Sequence, residues 1–235
     1  MKALILAAGL GERMRPLTNT MPKPLLAVGG KPLIAWQLEK LAAIGVEEVV
    51  INTSWLAEQF PQTLGDGARW GLKLHYSHEG ATPLETGGGM WNALPLLGDD
   101  LFLAVNGDIW SDFDFARLPK QLDADAHLVL VDNPDHNPRG DFALRDDEHV
   151  ESDGANRLTF AGIGVYRPSL FEHWREIVGA TQGVETSPPR FNLAPLLRAA
   201  MQRGRVAGEH HRGCWTDVGT PARLTQLDAE LRTRR

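Results

Sequence analysis

Apolar runs alternate along the chain with segments whose apolar positions recur at helical spacing. The predicted strands, which are short and rich in Val, Leu and Ile, are residues 2–7, 48–52, 72–76, 101–105, 127–131, 158–166 and 205–211. The predicted helices are residues 32–45, 54–64, 85–97, 191–202 and 220–232. This alternation is typical of a sheet with helices on both faces, and continuous apolar runs are typical of buried parallel strands. We therefore expect an α/β protein with a Rossmann-like mixed, mainly parallel sheet.

The loop after the first strand has the composition of a phosphate-binding site. Gly9 and Gly11 have no Cβ atom, so backbone N–H groups there can approach an anion closely. Arg13, Arg15 and Lys23 place three cations beside these glycines. In open α/β folds, phosphates bind at the carboxyl ends of the strands and at glycine-rich turns. The segment therefore predicts a phosphate site.

Two common phosphate motifs do not fit this segment. Residues 9–14 resemble G-x-G-x-x-G, but Met14 stands where a third glycine is needed for close helix–strand packing. Residues 30–31 resemble the end of a P-loop, but Pro32 replaces the hydroxyl residue that would hold magnesium, and Leu25 replaces the first glycine. The sequence thus argues against a dinucleotide-binding fold and against a P-loop.

Composition narrows the function classes further. The net charge of −6 argues against a nucleic-acid surface, which relies on neutralising many phosphates. Cys214 is the only cysteine, so an internal disulfide is excluded and a reducing compartment is expected. No stretch approaches the roughly 20 apolar residues of a membrane span. We expect a cytoplasmic protein that contacts neither membranes nor nucleic acids.

A second polar cluster, Asn106-Gly107-Asp108, directly follows the predicted strand 101–105. This position puts Asp108 at the carboxyl edge of the sheet, where ligands of open α/β folds bind. Asn, Gly and Asp are also favoured turn residues for purely local reasons. The residues alone leave a ligand site and a plain turn equally open.

The pattern L-A-A-G-x-G-x-R-x-x-P-x-T, followed by P-K-P-L, covers residues 6–18 and 22–25. It resembles the signature of the sugar-1-phosphate nucleotidyltransferases, and the chain matches every fixed position. The resemblance implies a GT-A-like nucleotidyltransferase fold and transfer of a nucleotidyl group from a nucleoside triphosphate to a sugar 1-phosphate. It also implies one domain over residues 1–235, with a nucleotide half at about 1–110 and a sugar and metal half at about 111–235.

The same resemblance assigns roles to individual residues. The segment 215–220 is similar to the second metal motif of the family, so Asp108 and Asp217 are expected to flank one Mg²⁺. This pairing fits the preference of Mg²⁺ for one or two carboxylates together with phosphate oxygens. The expected catalytic residues are Arg13, Lys23 and Asp108. The expected nucleotide-binding residues are Ala8, Gly9, Gly11, Glu12, Arg13, Lys23, Gly87 and Gly88.

The glycine run 87–89 and the segment 139–151 are the remaining candidates. In the family, the loop equivalent to residues 82–89 lies beside the nucleobase. Three adjacent glycines also suggest that the backbone contacts a ligand there. The alternative, which we favour less, is a plain helix-opening turn. The expected sugar-binding residues are Asn106, Arg139, Gly140 and Glu151, although the region around Glu151 departs from the common E-K-P version.

Within the family, the chain looks most like the bacterial uridylyltransferases that use N-acetylmuramate 1-phosphate in cell-wall recycling. Residues 83–89, residues 128–134 and the short carboxyl terminus carry that resemblance. The implied partners are UTP and a sugar 1-phosphate, and the chain is expected to be a monomer or a small homo-oligomer. Arg139 is the candidate cation for the carboxylate of the muramate. Two alternatives stay open: a guanylyl- or thymidylyltransferase for mannose or glucose 1-phosphate, and a non-catalytic nucleotide-sugar-binding subunit.

Overall fold

The first strand of the chain lies at the centre of the structure, hydrogen-bonded on both sides to parallel strands. A computed structural model describes residues 1–233, so Arg234 and Arg235, at the end of the predicted domain, lie outside the described residues. The strands are β1 Lys2–Leu6, β2 Ala27–Val28, β3 Lys31–Pro32, β4 Glu48–Thr53, β5 Lys73–His78, β6 Phe102–Asn106, β7 Ile109–Ser111, β8 Ala126–Val131, β9 Phe142–Leu144, β10 Val150–Glu151, β11 Arg157–Tyr166, β12 Val206–His211 and β13 Trp215–Asp217.

Seven strands form the main path of the sheet, in the order β12-β8-β11-β6-β1-β4-β5. The pairs β6-β1, β1-β4, β4-β5 and β12-β8 are parallel, and β11 runs antiparallel to both of its neighbours on this path. The short strands β9 and β10 extend the sheet beside the first residues of β11. This mixed, mainly parallel sheet confirms the predicted fold class.

In the described part of the chain, six α-helices accompany the sheet, together with short 3₁₀ turns in the loops. They are α1 Leu33–Ala43, α2 Gln59–Leu64, α3 Glu85–Leu97, α4 Trp174–Val178, α5 Ala194–Gln202 and α6 Pro221–Thr233. The longest, α3 and α6, have 13 residues each. Within residues 1–233, no helix has the length and apolar content needed to cross a membrane.

The alternation of side chains along β1 separates two cores. Ala3 and Ile5 pack with α1 on one face, and Leu4 packs with α3 and α5 on the other, as the twofold side-chain period of a strand requires. A third apolar cluster joins α6 to the amino-terminal loops through Met14 and Leu231. The carboxyl-terminal helix thereby fixes the segment that carries the glycine loop.

Two predicted helices are shorter in the structure. The predicted helix 54–64 begins only at Gln59, because Leu56 has a positive φ of 50° and the chain turns there. Pro61 then falls in the first turn, where a missing N–H costs no helical hydrogen bond. The predicted helix 191–202 begins at Ala194, because Phe191 exchanges backbone hydrogen bonds with Leu84 and Gly88 instead of continuing the helix.

The packing of α1 gives a stability prediction. Leu38 is completely buried between α1 and the sheet, so we expect Leu38→Ala to lower the free energy of unfolding by about 2–5 kcal/mol. The matched variant Leu96→Ala alters a leucine of α3 that is 38% exposed, and its expected effect is within about 0.5 kcal/mol. Urea unfolding followed by circular dichroism measures both. Equal effects would contradict the assigned core.

Candidate active site

The carboxyl ends of the central strands surround a cavity of about 220 Å³. Leu6 from β1, Ala7 directly after it, Asn52 from β4 and Asn106 from β6 contribute to its walls. Because β1, β4 and β6 are parallel, these residues all reach the same edge of the sheet. Ala8, Gly9, Lys23 and Asp108 complete this side of the cavity, so five of the sequence-predicted residues meet here, with Asn106 as the fifth. We call this space the first cavity.

Lys23 and Asp108 form an ion pair in the wall of the first cavity. The side chain of Lys23 is 12% exposed and that of Asp108 is 31% exposed, so both charges are partly withdrawn from water. The 3₁₀ turn Lys23–Leu25 positions the lysine, and the turn after β6 positions the aspartate. Two residues that the sequence places 85 positions apart thus share one contact.

Asp108 and Asp217 lie next to each other across a two-stranded ribbon. The strands β7 and β13 are antiparallel, with Asp217 opposite Ile109, and Val218 N–H donates to Asp108 O at 2.8 Å just beyond the ribbon. Asp217 accepts from Arg223 of α6, and His136 Nε2 lies 3.0 Å from its Oδ1. Each aspartate therefore has a basic partner of its own. The ribbon brings together the two predicted metal ligands.

The residues around this ribbon fit Mg²⁺ as a substrate-linked ion. Among the described residues, no group of three or more His, Cys, Asp or Glu side chains has the arrangement of a metal site. A cage built from protein groups alone is therefore not present in that part of the chain. Two neighbouring carboxylates are nevertheless the number that Mg²⁺ takes when water and substrate phosphates supply its other ligands. The backbone positions of Asp108 and Asp217 fit that requirement, and metal binding by these two residues stays a prediction.

Arg13 lies in a separate cavity of about 360 Å³. Gly11, Glu12 and Gly219 also line it, and Lys23 lies in the walls of both this cavity and the first. The glycine loop is thus divided: its beginning faces the first cavity, and its end faces the space around Arg13. Lys23 connects the two spaces.

Backbone N–H groups of the glycine loop are available for a ligand. Within residues 1–233, the N–H groups of Ala8, Gly9 and Gly11 donate no hydrogen bond to another residue. Ala7 N–H differs, because it donates to Asn52 Oδ1 at 2.5 Å. The loop is therefore held at its first residue, and the N–H groups that follow can donate hydrogen bonds to an anion. Phosphate binding at this loop stays a prediction.

The glycines at 87–89 are closely packed inside the protein, and their predicted contact with a nucleotide stays a prediction. A Cβ atom on Gly87 would lie 2.7 Å from the ring of Phe191, and one on Gly88 would lie 2.5 Å from Pro189 O. Gly88 N–H also donates to Phe191 O at 2.9 Å. Because residues 87–89 of α3 have no side chains, the segment before α5 can pack closely against this part of the helix. Close internal packing accounts for these glycines without a ligand, and Gly87 and Gly88 line neither the first cavity nor its neighbours.

Glu79 and Asn52 form a buried polar pair that the sequence patterns only partly indicated. Asn52 Nδ2 donates to Glu79 Oε1 at 2.5 Å, and Leu84 N–H donates to Glu79 Oε2 at 2.7 Å. Burial raises the pKa of Glu79, and these two hydrogen bonds oppose that shift. The position of Asn52 near the carboxyl end of β4 could have indicated a site residue, because Asn106 was predicted from its position at the end of another strand.

A second cavity, of about 410 Å³, adjoins the first. Thr86 and Asn106 line both cavities, so they form the shared wall. Gly140 lies in the second cavity as the sequence predicted, and Asp141 lies beside it. Thr86 and Asp141 were not among the predicted site residues, and no single-residue pattern distinguishes them from ordinary turn residues.

Two predicted sugar-binding residues lie outside both cavities. Arg139 borders a shallow opening that it shares with Gly140 and Asp153. Glu151 pairs with Arg145 at 2.9 Å and lines a different surface depression. The structure thus brings Asn106 and Gly140 to the second cavity and leaves Arg139 and Glu151 on its outer side.

Comparisons with known proteins agree with this geometry. The family model described as nucleotidyl transferase matches residues 2–144, which include β1, the glycine loop, Lys23 and Asp108. An N-acetylmuramate alpha-1-phosphate uridylyltransferase from Neisseria meningitidis is 50% identical over 97% of this chain and 97% of its own length. A protein of the same name from Caulobacter vibrioides is 33% identical over 97% of this chain and 96% of its own length.

The chain is also similar to proteins whose names give other nucleotides and sugars. A mannose-1-phosphate guanylyltransferase from Mycobacterium tuberculosis is 32% identical over 97% of this chain, which spans 64% of that relative's length. The solved structure of a protein from Bacillus anthracis, provisionally assigned as a glucose-1-phosphate thymidylyltransferase, superposes with a TM-score of 0.83 at 22% identity. It covers 99% of this chain and 95% of its own, which supports the fold. On the family match and these full-length similarities, the chain belongs to the nucleotidyl transferase family.

Proposed function

We propose that the protein transfers a uridylyl group from UTP to N-acetylmuramate 1-phosphate and releases pyrophosphate. The observation that carries the proposal is the pair of adjoining cavities that share Thr86 and Asn106 as a wall, with Lys23 and Asp108 in the first. Two adjoining sites are what a transfer between two bound substrates requires. The choice of UTP and of the muramate follows from the two full-length relatives that carry this name.

The chemistry follows from the charges of the two substrates. A phosphate oxygen of the sugar 1-phosphate attacks the α-phosphorus of UTP, and the bond between the α-phosphorus and its bridging oxygen breaks as pyrophosphate leaves. The attacking oxygen is already anionic near neutral pH, so no general base is required. The main tasks of the site are to bring two polyanions together in line and to stabilise charge in the transition state.

Lys23 and Arg13 have the positions that these tasks demand. Lys23 lies between the first cavity and the space around Arg13, so its ammonium group can neutralise charge at the α-phosphoryl group. Arg13 and the N–H groups of the glycine loop then hold the β- and γ-phosphates and the departing pyrophosphate. Guanidinium groups suit this purpose because they donate bidentate hydrogen bonds to phosphate oxygens.

Asp108 and Asp217 would hold Mg²⁺, which supplies charge neutralisation for the nucleotide oxygens when it is bound. In the structure, Lys23 and Arg223 neutralise these two carboxylates. Both basic side chains are therefore positioned to turn from a carboxylate towards a substrate phosphate. The presence of Arg13, Lys23, Asp108 and Asp217 in one region also argues against a subunit that has lost catalysis.

A panel of substrates tests the proposed function. We expect pyrophosphate release to be fastest with UTP and N-acetylmuramate 1-phosphate, and slower with GTP or dTTP and with mannose or glucose 1-phosphate. Coupled pyrophosphate detection in the presence of Mg²⁺ measures every combination. Preference for GTP and mannose 1-phosphate would instead favour the guanylyltransferase alternative, which the 32% identical relative represents.

The two aspartates give a prediction about the metal. We expect Asp108→Asn and Asp217→Asn each to lower kcat by about 10²–10³ or more, because each removes a charge that stabilises the transition state. Folding should be unaffected, since asparagine has the shape of aspartate and both side chains are partly exposed. Steady-state kinetics across a Mg²⁺ titration measures the loss, and Asp99→Asn, at an exposed turn, is the matched control. Near-normal turnover in either variant would remove that residue from the site.

Arg13 gives a prediction about the triphosphate. We expect Arg13→Ala to raise KM for UTP, and for pyrophosphate in the reverse reaction, by about 10–100-fold, the effect of losing a charge-assisted hydrogen bond. The neighbouring variant Arg15→Ala should have a smaller effect, because Arg15 does not line the cavity around Arg13 and its ion pair within residues 1–233 is with Glu12, at 3.9 Å. Initial-rate measurements in both directions compare the two variants. An equal effect of both would mean that the loop charge acts without positional preference.

A further inference from the structure

The second cavity combines an apolar side with a polar side. Phe142, Leu193 and Leu197 are buried and form part of the apolar side. Arg157 and Arg198 are its two cations, and Asp141 is its one carboxylate among the lining residues. A cavity of this composition suits a ligand that carries an apolar group and an anionic group close together.

Arg157 has no hydrogen-bond donor left for a ligand. Its Nε donates to Arg139 O at 3.0 Å, and its two terminal nitrogens donate to Ser152 O, Gly140 O, Asp141 O and Asp153 Oδ1 at 2.8–3.2 Å. A guanidinium group has five N–H donors, and these five bonds use all of them. Arg157 therefore holds the loop 139–141 and the segment 152–153 in place.

Arg198 is the other cation, and its guanidinium group is available to a ligand. Its side chain is exposed and makes no hydrogen bond or ion pair with any residue in the described part of the chain. Arg198 and Ala194 are four residues apart in α5 and therefore lie on the same face of the helix, towards the cavity. The helix also begins at this cavity without a capping side chain, so its amino-terminal backbone favours negative charge there.

Asp141 does not compete with an anion for Arg198. Its Oδ2 accepts from Phe160 N–H at 2.8 Å, and its Oδ1 accepts from Asn137 Nδ2 at 3.1 Å. Its remaining lone pairs suit the hydroxyl groups of a sugar. The cavity thus offers an acceptor for hydroxyls at one place and a cation for an anion at another.

We propose that Arg198 binds the carboxylate of the ether substituent on the acceptor sugar and so makes the enzyme specific for a carboxylated hexosamine 1-phosphate. This inference rests on the proposed function and deepens it by assigning the residue that selects the sugar. The apolar side chains Leu193 and Leu197 contact the methyl group of the same lactyl substituent. Arg139, the cation expected from the sequence, lies in the outer opening beside Asp153 instead.

The experiment compares three acceptors with UTP. These are N-acetylmuramate 1-phosphate, its methyl ester at the lactyl carboxylate, and N-acetylglucosamine 1-phosphate. The ester keeps the bulk of the substituent and loses the charge. We expect the wild type to favour the acid over the ester by about 10–100-fold in kcat/KM, as expected for a charge-assisted hydrogen bond. Arg198→Ala should lower kcat/KM for the acid by a similar factor and leave the other two acceptors within about threefold.

Matched variants separate a specific role from a structural one. Arg198→Lys keeps the charge and should retain part of the preference for the acid, whereas Arg198→Gln should lose it. Arg232→Ala, which alters an exposed arginine of α6, should change none of the three rates. Thermal unfolding of every variant checks the fold, and the comparison of acid and ester on the wild type requires no variant at all.

The outcomes distinguish this inference from the proposed function. A wild type that uses N-acetylmuramate 1-phosphate but accepts acid and ester equally overturns the role of charge and leaves the function standing. The same holds if Arg198→Ala lowers all three rates equally, or if Arg139→Ala removes the preference and Arg198→Ala does not. A wild type that favours mannose or glucose 1-phosphate overturns both.

Discussion

The parallel alignment of β1 between β4 and β6 is the constraint on which the site depends. Parallel strands in register end at the same edge of the sheet, and here Leu6 pairs with Asn52 on one side and with Asn106 on the other. The backbone that leaves each strand must turn at that edge, and the turns carry the polar groups. Gly107 N–H donates to Leu6 O at 2.9 Å, so the turn that presents Asp108 is fastened directly to the end of β1.

Basic side chains are concentrated at the candidate site, although the chain as a whole is acidic. The formal net charge is −6, yet the substrates proposed for the site are polyanions. The contradiction is resolved by the pairing of Lys23 with Asp108 and of Arg223 with Asp217, which keeps both carboxylates neutralised before a ligand arrives. Buried or half-buried charges without partners are costly, so these pairs allow the site to be present without substrate. Arg13 and Arg198, in contrast, are exposed and line the two cavities that adjoin the first one, where the proposed function has them bind anions.

The fold could be predicted from sequence to a large extent, because buried strands and amphipathic helices leave periodic patterns. The seven longer strands and most of the predicted helices lie where those patterns place them. The boundary errors concern the start of α2, where the chain turns at Leu56, and the start of α5, where long-range backbone bonds decide the boundary. Helix α4 and the short strands β2, β3, β7, β9, β10 and β13 were not predicted, because so few residues leave no periodic pattern. Arg13, Lys23 and Asp108 could be selected because the glycine loop and the strand end mark them locally. Arg198 could not be selected from the sequence, because no local pattern distinguishes it from other arginines in amphipathic helices. Its proposed role depends on a cavity that distant segments of the chain form together. At the glycines 87–89, a local pattern suggests a contact with a ligand, and the structure shows that tertiary packing also requires small residues there.

That packing connects the two halves of the site. The glycines of α3 admit Phe191 and the segment before α5, and Phe191 N–H in turn donates to Leu84 O at 3.1 Å. Glu85 and Arg190 form an ion pair beside the same contact. The amino end of α5, which lines the second cavity, is thereby fixed relative to Thr86 in the shared wall. The distance between the first and second cavities is therefore set by backbone contacts across α3, and a larger side chain there would move the two cavities apart.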